Sequence, residues 1–322
     1  MLKVFLKHST EFYYDKLVSE RANQIKLYPI NNDFQKIVRH QLFITGNPSI
    51  ITHQDFFGNK VGIFNLFDPH NRLKITSKLE IEQYELAIPD LTKNPLQQWE
   101  KLKTLQKSID FYHFYPYQKF KGNKELKKIL AHDFQKWSPI EIGSMLCENV
   151  YNQFKYEKGV TSVDSSLEEI WNLKAGVCQD FSNILIQMCR IFGIPSKYVS
   201  GYICPEKDSE FRGIGATHAW VEIYIPIYGW VGLDPTNNCL AKNRHIKLSV
   251  GRDYNDCSPI KGVFKGDSEA SLIVDVQINS NDEFNSERKK IKNHDINYEK
   301  NKLVKSNRFA ENQKFIQQQQ QQ

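Results

Sequence analysis

The chain has no pair of cysteines at C-x-x-C spacing. Its six, at 147, 178, 189, 204, 239 and 257, are scattered through 322 residues, which excludes a zinc ribbon, a dithiol redox motif and a disulfide-stapled mini-domain. Reduced thiols in a reducing compartment are expected, and with them a cytoplasmic location. No apolar stretch approaches the ~20 residues of a membrane-spanning helix, and the run from Met1 to Thr10 is too short for a signal peptide, so no membrane partner is expected. No Asp/Asn/Gly/Glu loop of EF-hand type occurs, and neither a metal nor a cofactor is expected.

Charge of one sign is scarce too. The formal net charge is +6, and the segment from Glu283 holds nine Lys and Arg against five Asp and Glu, leaving +2 for the rest. Without a basic stripe interleaved with aromatics, nucleic acid is excluded as the main partner. Residues 283–322 are rich in Lys, Asn and Gln, end in Gln317 to Gln322 and lack apolar periodicity. They cannot bury enough surface to offset ordering entropy and read as a disordered tail.

What is present suffices for folded domains: 40% of residues are hydrophobic, enough for two modest cores. Residues 1–88 hold β-rich runs such as Gln24–Tyr28, Gln41–Thr45 and Leu73–Ser77 between turn residues, suggesting a small sandwich-like domain. Its Asp55–Lys60 turn reads as a plain hairpin. Residues 89–137 read as a helical connector, whose Phe111, Tyr112, Phe114, Tyr115 and Tyr117 form either a contact between domains or a substrate groove. Residues 138–282 form the core. Ser138-Pro139 opens a helix running to Tyr156, with Ile140, Ile142, Met145, Leu146, Val150 and Phe154 inward, and the alternation in Ala270–Ile278 predicts a strand closing the core sheet.

Within this core, three blocks carry chemistry. In Gly176-Val177-Cys178-Gln179-Asp180-Phe181 the cysteine precedes Phe181, Ile184, Leu185, Met188 and Phe192 at helical spacing, with Gly193 and Pro195 as the stop. Cys178 therefore falls at a helix N-terminus, where the macrodipole and free N–H groups favour a thiolate and a developing oxyanion. Asp180, in the first turn, reads as a cap carboxylate. In Thr217–Ile225 the apolar positions 219, 221, 223 and 225 alternate as a strand, putting His218, Trp220, Glu222 and Tyr224 on its other face. A Pro226/Gly229 turn then leads to Gly229–Asp234, so a hairpin brings Asp234 beside His218. A thiol needs an imidazole to hold its proton and a third group to orient that imidazole; Cys178, His218 and Asp234 supply these roles in order. Trp220 either walls the substrate pocket or simply packs in the core.

The Gly-Val-Cys-Gln-Asp-Phe, Thr-His-Ala-Trp-Val-Glu and Gly-Trp-Val-Gly-Leu-Asp-Pro-Thr blocks resemble the bacterial transglutaminase-like family. The likeness extends through Ile194–Tyr202 and His245–Tyr254 and to the β-rich N-terminal part. It implies an α+β fold: a papain-like transglutaminase core, with the Cys-bearing helix packed on an antiparallel sheet bearing His and Asp, preceded by a small β-rich domain. It also implies Cys178 as nucleophile, His218 as general base and acid, and Asp234 as its orienter. The expected activity is ping-pong acyl transfer on a protein or peptide amide through a thioester. Transfer to an amine gives transamidation and transfer to water gives deamidation or proteolysis. A cysteine peptidase or amidase on the same scaffold and a catalytically silent peptide-binding module are the alternatives. The glutamines and lysines of the tail offer a further, weaker idea, self-modification.

Overall fold

A computed structural model describes residues 1–85, 87–129, 134–204, 211–213 and 215–279; the tail expected from 283, with its self-modification idea, lies outside them. Five strands come first: β1 (Leu2–Ile25), β2 (Gln35–Ile44), β3 (Ile51–Gln54), β4 (Lys60–Leu66) and β5 (His70–Gln83). The 24-residue β1 organises them all. Its first half pairs with β5, which pairs with β2, and its second half, past a register shift between Tyr13 and Val18, pairs with β4, which pairs with β3. Val4, Leu6, Phe12 and Tyr14 alternate into the core. The same face carries His8 and Thr10, which hide the alternation in the sequence. Both are satisfied inside, His8 lying 2.6 Å from the Tyr202 hydroxyl and 2.8 Å from Thr10 Oγ1.

Next come α1 (Pro95–Leu105), α2 (Gly122–Ile129), α3 (Pro139–Gln153), β6 (Lys155–Tyr156), α4 (Leu167–Leu173), β7 (Ala175–Gly176) and α5 (Cys178–Ile191). A capping box between Ser138 and Glu141 starts α3. The helix ends earlier than the sequence suggested. Phe154 is extended, freeing Lys155 and Tyr156 to pair in parallel with Ala175 and Gly176. Met145 is 44% exposed, because one step from Leu146 turns it ~100° off the inward stripe.

The core sheet is antiparallel in the order β11 (Cys239–Ala241), β10 (Gly229–Asp234), β9 (His218–Ile225), β8 (Ser196–Ile203) and β12 (His245–Gly251). Ala219, Val221, Ile223 and Ile225 of β9 face α3 and α5, where Phe181, Ile184, Leu185 and Met188 are sealed from solvent. Each such side chain contributes about 1.5–3 kcal/mol.

After α6 (Tyr254–Cys257) the chain forms β13 (Ile260–Lys265) and β14 (Ala270–Asn279). These correct the expectation of a closing core strand: both pair antiparallel with β1, making a seven-stranded sheet. Alternation fixes a strand's face, whereas its sheet partner depends on contacts far away in sequence. This sheet shares one apolar core with Tyr202, Ile246 and Leu248 of the other. The Asp55–Lys60 turn is more than a hairpin. Asn59 Nδ2 donates to the Val250 carbonyl (2.7 Å) and its Oδ1 accepts from the Val250 N–H (2.8 Å), tying the turn to β12. In the connector, Phe111 and Phe114 pack on Trp230, and Phe114 and His113 also meet Phe57, so this part of the cluster joins the two sheets.

Candidate active site

Cys178 is the first residue of α5, after the extended N-cap Val177, and is 3% exposed. The first-turn N–H groups of a helix have no intrahelical acceptors, so the Cys178 thiol sits among free donors. Asp180 caps this end, accepting from the Val177 N–H (2.8 Å) and the Thr161 hydroxyl (2.7 Å). Burial nevertheless pushes its carboxyl up to about 6, which moderates the negative charge that would oppose a thiolate.

The hairpin of β9 and β10 pairs Leu233 with Val221 and brings His218 Nε2 to 2.8 Å from Asp234 Oδ2. Both side chains are fully enclosed. Burial lowers the affinity of His218 for a proton, but attraction to Asp234, their hydrogen bond and the contact with Cys178 outweigh it, so its pKa is raised. Asp234 is driven the other way: its donors and the His218 charge overcome burial and hold it ionised. With Nε2 committed to Asp234, His218 Nδ1 has no complete hydrogen bond and is the ring atom left to exchange a proton. The structure thus assembles all three residues singled out in the sequence.

Trp220 lies buried behind them, nearly parallel to the His218 ring at 6.3 Å between centroids, and packs with Val199 and Val250. Ile30, Phe57 and Ala241 pack against this cluster from its partly exposed side.

Four further residues join the site. His245 Nε2 donates to the same Asp234 oxygen at 3.0 Å, and burial lowers its pKa, keeping it neutral. Asn237 Nδ2 donates to that oxygen (2.8 Å), and Asn237 Oδ1 accepts from the Arg212 N–H (2.7 Å), tying residues 211–213 to the site. Gly213, at φ +84°, lies against the imidazole: a Cβ there would stand 2.7 Å from His218 Nδ1. Tyr156 is held by β6 beside Gly176; burial, then the nearness of Cys178 and Asp234, push its hydroxyl well up, so it remains a proton donor. The Asp234-Pro235-Thr236-Asn237 turn was readable as an Asx turn, with Thr236 N–H on Asp234 Oδ1 at 2.9 Å. His245 carried only similarity, and Gly213 and Tyr156 no signal at all.

His218, Asp234 and His245 are also the one group of three metal-ligating side chains gathered among the described residues, their ligand atoms within 4.8 Å of one another. Those atoms are already mutually bonded, since one carboxylate oxygen takes both Nε2–H groups.

Comparison with known proteins agrees with this architecture. Residues 4–82 match the family model described as the bacterial transglutaminase-like N-terminal region, and residues 130–235 that of the transglutaminase-like superfamily. An uncharacterised protein of Mycobacterium tuberculosis is 32% identical over 284 residues, covering 84% of this chain and 90% of its own length. The chain belongs to the bacterial transglutaminase-like family. A solved structure from Cytophaga hutchinsonii described as "a Putative Cysteine Protease" superposes with a TM-score of 0.65 at 20% identity, over 86% of this chain and 91% of its own; it shares the fold. A shorter match, 29% identical over 84 residues, is to a protein-glutamine gamma-glutamyltransferase of Pseudomonas aeruginosa, covering 24% of this chain and 12% of that protein. The fold is therefore a transglutaminase-like α+β core preceded by the family's β-rich region, and members of this superfamily are usually cysteine-dependent enzymes. Among the described residues, no helix is long and apolar enough to cross a membrane.

Proposed function

We propose that this protein is a cysteine-dependent acyltransferase acting on protein or peptide amides. The observation that carries the reading is the divided imidazole of His218. Nε2 is held by an ionised, buried Asp234 while Nδ1 is open on the side where Cys178 raises its proton affinity. In this mechanism Cys178 Sγ gives its proton to His218 and attacks the amide carbonyl carbon. The N–H groups at the start of α5 stabilise the oxyanion, and His218 returns the proton to the departing amine as the thioester forms. Asp234 keeps the ring's tautomer and orientation fixed throughout. A second nucleophile, deprotonated by His218, then releases the acyl group.

An amine as that nucleophile makes the enzyme a transglutaminase, in line with the Pseudomonas relative's name. Water would make it a peptidase or amidase by the same steps. Trp220, beside His218, is the proposed wall that keeps bulk water from the imidazole. The six free thiols fit a reducing compartment, the cytoplasm.

The test is mass spectrometry of glutamine-containing peptides incubated with the protein and a primary amine, beside a Cys178→Ala control. Amine adducts that require Cys178 are expected. Cys178-dependent cleavage or deamidation without adducts would make it a hydrolase, and identical traces for protein and control would leave a silent binding module.

A further inference from the structure

A cavity of about 460 Å³ lies on the face of the core sheet turned away from α3 and α5, the face that carries His218 and Trp220, between β8–β12 and residues 32–35 and 87–88 of the N-terminal part. Glu222 lies in its floor, with one carboxylate oxygen 3.0 Å from Lys197 Nζ and the other on Lys247 Nζ. Lys197 Nζ also sits 4.2 Å from the centre of the Trp230 ring. One carboxylate between two ammonium groups leaves a positive charge uncompensated in a largely desolvated floor, a costly state that a bound anion would relieve. Lys242 adds a cation at the rim and Asp33 an anion. An ammonium has three donors, so Lys247 keeps N–H groups beyond the one on Glu222.

His245 supplies a second requirement. Its Nε2–H is committed to Asp234, and Nδ1 is buried without a partner. In that tautomer Nδ1 is an acceptor, which a donor on a bound ligand would satisfy. His245 and Lys247 are two positions apart on β12, hence on one face and ~7 Å apart. Trp220, Tyr228 and Trp230 give the walls flat apolar surface.

We propose that this cavity is a binding site for a small aromatic acid carrying a hydroxyl or N–H donor. Its carboxylate meets Lys247 and Lys242, its ring lies against Trp220 and Trp230, and its donor reaches His245 Nδ1. Through the His245–Asp234 bond, occupancy holds the group that orients His218 from behind. The cavity shares Trp220 and His245 with the candidate active site, but binding there uses no group of Cys178 and does not require the protein to be an active acyltransferase.

Isothermal titration of the full chain with 4-hydroxybenzoate tests this, with benzoate lacking the donor and phenol lacking the charge. The hydroxy acid is expected to bind about tenfold more tightly than either, since each missing group leaves a buried polar partner unmet. Lys242→Gln, at an exposed residue, is expected to weaken it about threefold. His245→Phe should abolish the preference over benzoate while leaving benzoate itself bound as before. No saturable binding of 4-hydroxybenzoate, equal affinity for all three probes, or unchanged binding by Lys242→Gln would each overturn the proposal.

Discussion

Replacing Asp234 by Asn probes the site at its most constrained point. The carboxylate takes Nε2–H from His218 (2.8 Å) and His245 (3.0 Å) and the Asn237 side-chain amide (2.8 Å) on Oδ2, and the N–H groups of Thr236 (2.9 Å) and Asn237 (3.3 Å) on Oδ1. Every neighbour is a donor. Whichever way the new amide turns, its NH₂ faces at least two donors, and the remaining bonds lose their charge assistance. A hydrogen bond to a charged group contributes about 1.5–3 kcal/mol against 0.5–1.5 for a neutral one, so a loss of about 3 kcal/mol is expected, or roughly 6–12 °C in Tm for a chain of this size.

The pH dependence carries the sharper signature. Asp234 is depressed and His218 raised in the folded protein, so their joint contribution is whole between the ordinary carboxyl and imidazole values, about 3.9 and 6.5. It is lost as pH falls through the folded value of Asp234 and as pH rises through that of His218. His245, depressed by burial, acts in the opposite sense to His218: its contribution is present above about 6.5 and lost below. Urea unfolding from pH 4 to 10, with the imidazoles followed by NMR, reads both. In Asp234→Asn the His218 pKa should fall and the alkaline loss of stability should shrink. An unshifted His218 titration with unchanged stability would refute the electrostatic account.

Other perturbations separate positioning from folding. Gly213→Ala puts a methyl 2.7 Å from His218 Nδ1 at a backbone φ of +84°; iodoacetamide should modify Cys178 about tenfold more slowly, the 1–2 kcal/mol of left-handed strain alone being too little to unfold the chain. His245→Phe removes a donor from Asp234 and should lower kcat about tenfold with little change in KM, checked in the amine-incorporation assay together with the His218 titration. Ile227 is 90% exposed at φ +77°, the third position of the Pro226-Ile227 turn closed by Tyr228 N–H on the Ile225 carbonyl (3.2 Å). That place favours Gly, so Ile227→Gly should add about 1 kcal/mol and raise Tm by ~2–4 °C without altering activity, read by calorimetry.

The site was legible because its parts are local. A glycine-flanked cysteine before a helical stripe, a histidine on an alternating strand and an aspartate one hairpin later fix Cys178, His218 and Asp234 by short-range rules. What escaped depends on distant contacts. β14 alternates as a strand should, yet nothing in Ala270–Asn279 says that its partner is β1, more than 250 residues earlier. β1 was hidden because His8 and Thr10 interrupt its apolar face, and only the fold reveals Tyr202 waiting for His8. His245 reaches Asp234 from the far edge strand of the sheet, a meeting no spacing encodes. Gly213 mattered only once its backbone was seen against the imidazole.

The most direct test of the central claim is the rate at which iodoacetamide modifies each of the six free cysteines, resolved by peptide mass mapping in the parent protein and in His218→Ala. If His218 activates Cys178, that residue is labelled at least about tenfold faster than the other five, and the advantage disappears in His218→Ala. Labelling of Cys178 no faster than the rest, or equally fast without His218, would contradict a paired nucleophile and base.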